Sequence, residues 1–203
     1  MITIAKLQQA FAAGTDQPSA LAERQFERAC NPQGEGARVF LSLHQQAIRE
    51  AAAHASQRYL PGNDAPPRPL EGITISIKDL FDVAGEVTTA GSTVLRARAT
   101  AAADAPAVAR LRAAGAVLFG RTNMVEFAFS GVGINPHYGT PRNRWRREEA
   151  GGHVPGGSSS GAGVSVADGM SVAALGTDTG GSVRIPAAFN GVVGFKPTAF
   201  RVP

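Results

Sequence analysis

The stretch that decides the fold is residues 155–198, PGGSSSGAGVSVADGMSVAALGTDTGGSVRIPAAFNGVVGFKPT. It contains two turns built from small residues, at 156–161 and 179–182, and each places a serine hydroxyl beside unshielded backbone N–H groups. An enzyme that attacks a carbonyl carbon needs a nucleophilic oxygen and N–H donors for the charge that develops on the carbonyl oxygen. The flanking strand and helix patterns therefore indicate a candidate active site rather than a flexible linker.

Strand and helix patterns alternate on both sides of this stretch. Short β-branched or apolar runs predict strands at 72–78, 116–120, 171–175 and 192–196. Between them lie a helix at 104–114, with Asp104 as N-cap and Pro106 in its first turn, a short helix at 124–129, a long irregular loop at 136–157 and a small-residue helix at 161–168. This alternation predicts an α/β fold with a mixed or mainly parallel sheet.

The first sixty residues have a helical pattern instead. One helix is predicted to end at Gly14, a second to run from Ser19 to Ala29, and a third to cover roughly Ala37–Tyr59. The Pro- and Gly-rich stretch 60–70 follows as an irregular connection. We therefore expect a helical N-terminal layer over residues 1–60 and the main α/β core over residues 61–203.

Composition narrows the functional class. Of the 203 residues, 43% are hydrophobic and 18% charged, as in globular proteins that bury a core. The net charge of +4 is modest and the arginines at 142–147 precede two glutamates, so we expect no nucleic-acid partner. No apolar run approaches the length of a membrane span, and the N-terminus lacks the pattern of a signal peptide. The single cysteine, Cys30, excludes an internal disulfide and fits the cytoplasm.

Several familiar active-site motifs fail on this sequence. Residues 157–161, GSSSG, match the G-x-S-x-G pattern, but a proline-containing loop precedes them where a strand is required. All four histidines, at 44, 54, 137 and 153, precede the serines, so the usual downstream histidine base is missing. No Lys-Ser or Lys-Thr follows Gly161, which excludes a P-loop, and no cluster has metal-ligand spacing. The sequence therefore implies no metal and no cofactor.

Lysine is the next candidate for a general base. Lys78 ends the apolar strand 72–78, where partial burial would lower the pKa of its amine towards neutrality. The alternative is a strand-end lysine that reaches solvent or pairs with Asp79 or Asp82. The residues alone leave both interpretations open.

The motifs resemble those of the amidase signature family. The resemblance is carried by 156–198, by Gly72 to Leu80 and by 88–92, TTAGS, and it covers about residues 60–200. It implies a Ser–cisSer–Lys triad with Ser182 as nucleophile, Ser158 as bridging serine behind a cis peptide bond, and Lys78 as base. The backbone N–H groups implied for the oxyanion hole are those of Thr179, Gly180, Gly181 and Ser182. Ala128 and Ser130 are implied to line the approach for substrate.

The resemblance implies hydrolysis of a small-molecule amide to an acid and ammonia or an amine, through an acyl-serine, in a cytoplasmic protein that could form a homodimer. Two alternatives stay open: the amidase component of a tRNA-dependent amidotransferase, and an inactive truncated fragment. Members of the family are typically more than twice this long. We therefore expect this chain to represent the N-terminal half of a larger domain.

Overall fold

The computed structural model describes residues 3–202. Four strands and seven α-helices occur in this part of the chain, together with a 3₁₀ turn at Glu126–Ala128. The strands are β1 (Phe40–Ser42), β2 (Thr74–Lys78), β3 (Val117–Thr122) and β4 (Ala173–Leu175). The helices are α1 (Ile4–Ala12), α2 (Pro18–Ala29), α3 (Gly36–Val39), α4 (Gln45–Gln57), α5 (Pro106–Ala113), α6 (Ser160–Ala167) and α7 (Arg184–Asn190).

The four strands form one mixed sheet in the order β1-β3-β2-β4. Strand β2 is parallel to both neighbours, with Lys78 opposite Thr122 of β3 and Ile77 opposite Leu175 of β4. Strand β1 runs antiparallel to β3 at the edge. The predicted α/β fold with a mainly parallel sheet is confirmed. All five residues of β2 are buried, as expected for a strand with neighbours on both sides and helices packed against it.

Two apolar clusters fill the space around the sheet. One joins α2 and α4 to β3, and its centre is the pair Phe26 and Phe119, with ring centroids 4.9 Å apart. The other joins α1 and α2 to β2 and includes Phe11 and Ile75. Both clusters combine residues from before and after residue 60, so the N-terminal helices share the core of the sheet. The division at residue 60 stays a prediction.

The expected helix over 37–59 is wrong. Residues 40–42 leave the helical conformation and pair with β3, and the N–H of Asn123 donates to the carbonyl of Val39 at 2.8 Å. The side chain of Asn123 also donates to the carbonyl of Arg38 at 2.9 Å. Pairing with a distant strand outweighs the local helical period, because aromatic and β-branched residues pack well on a sheet.

Asp104 is not the N-cap of α5. The N-cap is Ala105, which is extended (ψ 148°), as is favoured for a residue directly before a proline. The Asp104 carboxylate instead accepts from the N–H of Ala84 at 2.8 Å and from Nε of Arg112 at 2.7 Å. It therefore fastens the loop after β2 to the end of α5.

The predicted strand at 192–196 is also wrong. Helix α7 ends at Gly191, which has φ 68°, and residues 193–198 have no ladder partner within residues 3–202. Val193 and Phe195 are 91% and 77% exposed. An apolar β-branched run has strand propensity, but a strand forms only where a neighbouring backbone is placed to pair with it. The other predicted strands and the helices α1, α2, α5 and α6 are confirmed, with ends shifted by one to three residues.

Candidate active site

The buried end of β2 carries the candidate base. Lys78 is 0% exposed, and its Nζ lies 2.7 Å from Oγ of Ser158 and 2.7 Å from Oγ1 of Thr177. Removal from water lowers the pKa of Lys78 to about 7, although the nearby charge of Asp178 acts in the opposite direction. The alternative pairing with Asp79 is excluded, because that carboxylate accepts from Arg121 and Thr89.

The first serine turn is anchored from several sides. The Gly157–Ser158 peptide bond is cis, and the Ser158 carbonyl accepts from the N–H of Val125 at 3.0 Å. The N–H of Gly157 donates to the carbonyl of Gly131 at 2.7 Å. A side chain on Gly157 would collide with the backbone of Gly133 at 2.8 Å, so the turn needs glycine there. Ser158 is fully buried, facing Lys78 rather than solvent.

The second serine turn packs directly on the first. The N–H of Ser159 donates to the carbonyl of Ser182 at 3.2 Å, which brings the two predicted serines into neighbouring backbone positions. Ser182 itself is half-buried. Among the hydrogen bonds within residues 3–202, the link from Lys78 to Ser158 is present, whereas none joins Ser158 to the Ser182 hydroxyl. One of the two contacts of the implied relay is thus formed in this conformation.

Asp178 holds the second turn in shape. Its carboxylate, with a side chain only 3% exposed, accepts from the N–H groups of Gly181 (2.8 Å), Val183 (3.1 Å) and Arg184 (3.2 Å). The Arg184 guanidinium adds two further bonds at 3.0 and 2.9 Å, and these hold the pKa of Asp178 well below its usual range. The expected ion-pair brace of Asp178 and Arg184 is confirmed.

This brace narrows the set of oxyanion donors. The N–H of Gly181, implied as one of four donors, already donates to Asp178. Within residues 3–202, the N–H groups of Thr179, Gly180 and Ser182 have no backbone or side-chain acceptor. Thr179 and Gly180 are exposed, so their N–H groups face the side from which a substrate would arrive. Three donors, rather than four, are available for an oxyanion here.

The segment implied for substrate lies beside the first serine turn. The N–H of Ala128 donates to the carbonyl of Val125, the residue that binds Ser158, and Ala128 has φ 62°. The hydroxyl of Ser130 accepts from the N–H of Val132 at 3.1 Å. Phe129 between them is 91% exposed. Ala128 and Ser130 are half-buried on a loop next to the candidate triad, and their role stays a prediction.

Sequence reasoning missed Thr177. Its hydroxyl is the second oxygen bonded to Lys78, and the two residues are 99 positions apart in the chain. A threonine beside an aspartate has no distinguishing local pattern, and only the pairing of β2 with β4 brings Thr177 to the lysine. The sequence holds no signal that could have identified this contact.

A buried amine of lowered pKa, a serine bonded to it, and a second serine on a turn with free N–H groups define a site for lysine-activated nucleophilic attack by serine. A profile of the Amidase family matches residues 24–203, and the chain belongs to this family. It is 48% identical over 155 residues to a 2-amino-5-chloromuconic acid deaminase of Comamonas testosteroni, covering 76% of this chain and 32% of that protein.

Two further comparisons cover almost the whole chain. It is 40% identical to the amidase-type component (component A) of the glutamyl-tRNA(Gln) amidotransferase of Symbiobacterium thermophilum, covering 98% of this chain and 39% of that protein. The crystal structure of the peptide amidase of Stenotrophomonas maltophilia matches with a TM-score of 0.84 and 36% identity, covering 96% of this chain and 40% of that one. The chain thus spans about a third to two fifths of the length of these relatives. Within residues 3–202, no helix is both long and apolar enough to cross a bilayer.

Proposed function

We propose that this chain carries the catalytic centre of an amidase, which hydrolyses a small-molecule carboxylic amide to an acid and ammonia or an amine. The observation that carries the proposal is the buried Lys78 amine, 2.7 Å from the Ser158 hydroxyl and with its pKa lowered to about 7. Such an amine is neutral in part of the molecules near pH 7, which a general base requires. The family membership and the amidase relatives support this choice of reaction.

In the proposed mechanism, neutral Lys78 takes the proton of Ser158, which takes the proton of Ser182 as Ser182 attacks the amide carbonyl. A rotation of the Ser182 side chain towards Ser158 closes this relay. The oxyanion of the tetrahedral intermediate accepts from the N–H groups of Thr179, Gly180 and Ser182. Collapse breaks the C–N bond, and the proton returns through Ser158 to the leaving nitrogen. Water then hydrolyses the acyl-serine by the same route.

The proposal also covers the surroundings of the site. Ala128 and Ser130 contact the substrate, whose acyl part lies over the exposed aromatic side chain of Phe129. No cofactor enters any step. We further propose that the protein acts in the cytoplasm and forms a homodimer, which light scattering after size-exclusion chromatography would test.

A fluorophosphonate probe tests the nucleophile, because it forms a stable bond with an activated serine. We expect labelling of the wild-type chain at the peptide that contains Ser182, and its loss in Ser182→Ala. Ser42→Ala is a matched control, since Ser42 lies at the opposite edge of the sheet, on β1. Absence of labelling in a folded wild-type sample would favour the alternative of an inactive fragment, and labelling of Ser158 would reverse the assigned roles.

A second function is favoured by one observation. Relatives named as the corresponding component of glutamyl-tRNA(Gln) amidotransferase match up to 98% of this chain. An enzyme of that kind would release ammonia from glutamine and work with partner proteins. Ammonia release from glutamine, compared with simple aliphatic and aryl amides, separates the two: preference for glutamine supports the amidotransferase component, and preference for the other amides supports the amidase.

A further inference from the structure

A cavity of about 440 Å³ lies away from the serine turns, at the C-terminal end of α6. Helix α6 has eight residues, so this end is about 12 Å along the helix from Ser160, where the serines lie. We call it the arginine cavity, and its polar lining residues are Gln25, Arg28, Arg144, Asp168 and Ser171. The proposed amidase reaction uses none of them.

Two arginines from distant parts of the chain converge on this cavity. Nη1 of Arg28, on α2, donates to the carbonyl of Gly169 at 3.1 Å, and Nη1 of Arg144 donates to the carbonyl of Ala167. These bonds fix both guanidiniums at the end of α6 and offset the partial negative charge of its carbonyl groups. Each guanidinium has five N–H donors, so both retain several donors for a further partner.

The positive charge of the cavity has no local counter-ion. Within residues 3–202, neither Arg28 nor Arg144 is in an ion pair with a carboxylate. The one acidic residue of the lining, Asp168, is bound at both oxygens by Arg147, at 2.8 and 3.2 Å. That pair is neutral in sum, which leaves two positive charges facing the cavity.

A buried carboxamide completes the lining. Gln25 is 3% exposed, and its Oε1 has no hydrogen-bond partner within residues 3–202. A buried polar group without a partner costs free energy, so such a group indicates a missing ligand. Because the two ends of a carboxamide exchange by rotation of its last torsion, Gln25 can present either its acceptor or its N–H donors to the cavity.

We propose that the arginine cavity binds a small oxyanion, a phosphate or a carboxylate, held by the guanidiniums of Arg28 and Arg144 and by an N–H of Gln25. Planar guanidiniums suit both anions, since each offers two parallel N–H donors to two oxygens. The site is separate from the proposed active site and does not depend on it.

Titration calorimetry at constant ionic strength tests the proposal, with sodium phosphate in one arm and sodium succinate in the other. We expect saturable binding of at least one anion to the wild-type chain. Arg28→Gln should weaken the binding constant by about tenfold or more, because a charged hydrogen bond is lost. Arg110→Gln is the matched control, because Arg110 is an exposed arginine on another helix, α5, and should leave binding unchanged.

Gln25→Leu separates ligand binding from folding. Its removal loses no hydrogen bond at Oε1, so we expect the melting temperature in chloride to be unchanged or higher, while the anion binds about fivefold more weakly. The arm that saturates identifies the anion as phosphate or carboxylate. Absence of saturable binding in both arms, or equal binding by wild type, Arg28→Gln and Gln25→Leu, would overturn the proposal.

Discussion

Lys78 and Ser158 are 80 positions apart in the chain, yet Nζ of the lysine lies 2.7 Å from Oγ of the serine in a site closed to solvent. This contact determines the chemistry that the proposed centre can perform. It removes an amine from water without giving it a carboxylate partner, and the pKa of Lys78 falls to about 7 as a result.

The first prediction concerns this lysine. Lys78→Met keeps the length and volume of the side chain and removes the base, so we expect fluorophosphonate labelling of Ser182 to slow by a factor of about 10² to 10⁴. Lys196→Met is the control, since Lys196 is exposed and bonds only to the neighbouring carbonyl of Pro197. Equal labelling rates for Lys78→Met and wild type would contradict the role of Lys78 as base.

The second prediction concerns pH. Because only neutral Lys78 accepts a proton, the labelling rate should rise with pH through a single limb centred near 7. Stability has the same sign: between about pH 7 and 10.5, Lys78 is protonated in the unfolded chain but not in the folded one. The unfolding free energy should therefore rise with pH in this window and rise less in Lys78→Met. Denaturant unfolding of both chains at pH 7, 8.5 and 10 measures the difference.

The third prediction assigns a positioning role to Thr177. Its hydroxyl lies 2.7 Å from Nζ, so it can take an N–H of the neutral amine and leave the lone pair for Ser158. We expect Thr177→Val to slow labelling by about tenfold, the effect of roughly one hydrogen bond, and Thr177→Ser to restore most of the rate. A purely structural role would predict equal losses in stability and rate for both variants, which thermal melts would reveal.

The fourth prediction concerns the brace of the second turn. Asp178→Asn replaces an acceptor of five hydrogen bonds by a group with one acceptor oxygen, which frees the N–H of Gly181 but loosens the turn. We expect a loss of about 2 kcal/mol or more in unfolding free energy and a slower reaction at Ser182. The melting temperature and the labelling rate should fall together. A faster reaction would show that Gly181 serves better as a fourth oxyanion donor.

The fifth prediction concerns acid stability. Glu35 is fully buried, and burial would raise its pKa, but bonds from Arg38 and from the side chain and N–H of Arg142 outweigh burial and hold the pKa at about 2. This carboxylate therefore stabilises the fold above pH 4.5, and that stability is lost as the pH falls towards 2. Glu35→Gln should be less stable at pH 7 and should lose less stability between pH 5 and 3. Parallel urea titrations at both values measure this.

Local pattern predicted much of the fold, and the residues where it failed can be explained. Strands β2, β3 and β4 and helix α6 follow from short apolar runs between turns, because their neighbours in space satisfy the same pattern. The helix expected over 37–59 failed, since β3 offers residues 40–42 an edge to pair with. The strand expected at 192–196 failed for the opposite reason, as no ladder partner lies beside it in residues 3–202.

The sequence by itself determined the family, the mixed sheet and the identity of Lys78, Ser158 and Ser182 as candidates, because these depend on residue types at fixed spacings. Only the tertiary structure decided that Lys78 meets Ser158 and Thr177, that Asp178 takes the N–H of Gly181, and that two arginines converge at the end of α6. Contacts of this kind join residues far apart in the chain. Their distances and burial, which set the pKa of the lysine and the number of free N–H donors, arise only when the sheet and its helices pack together.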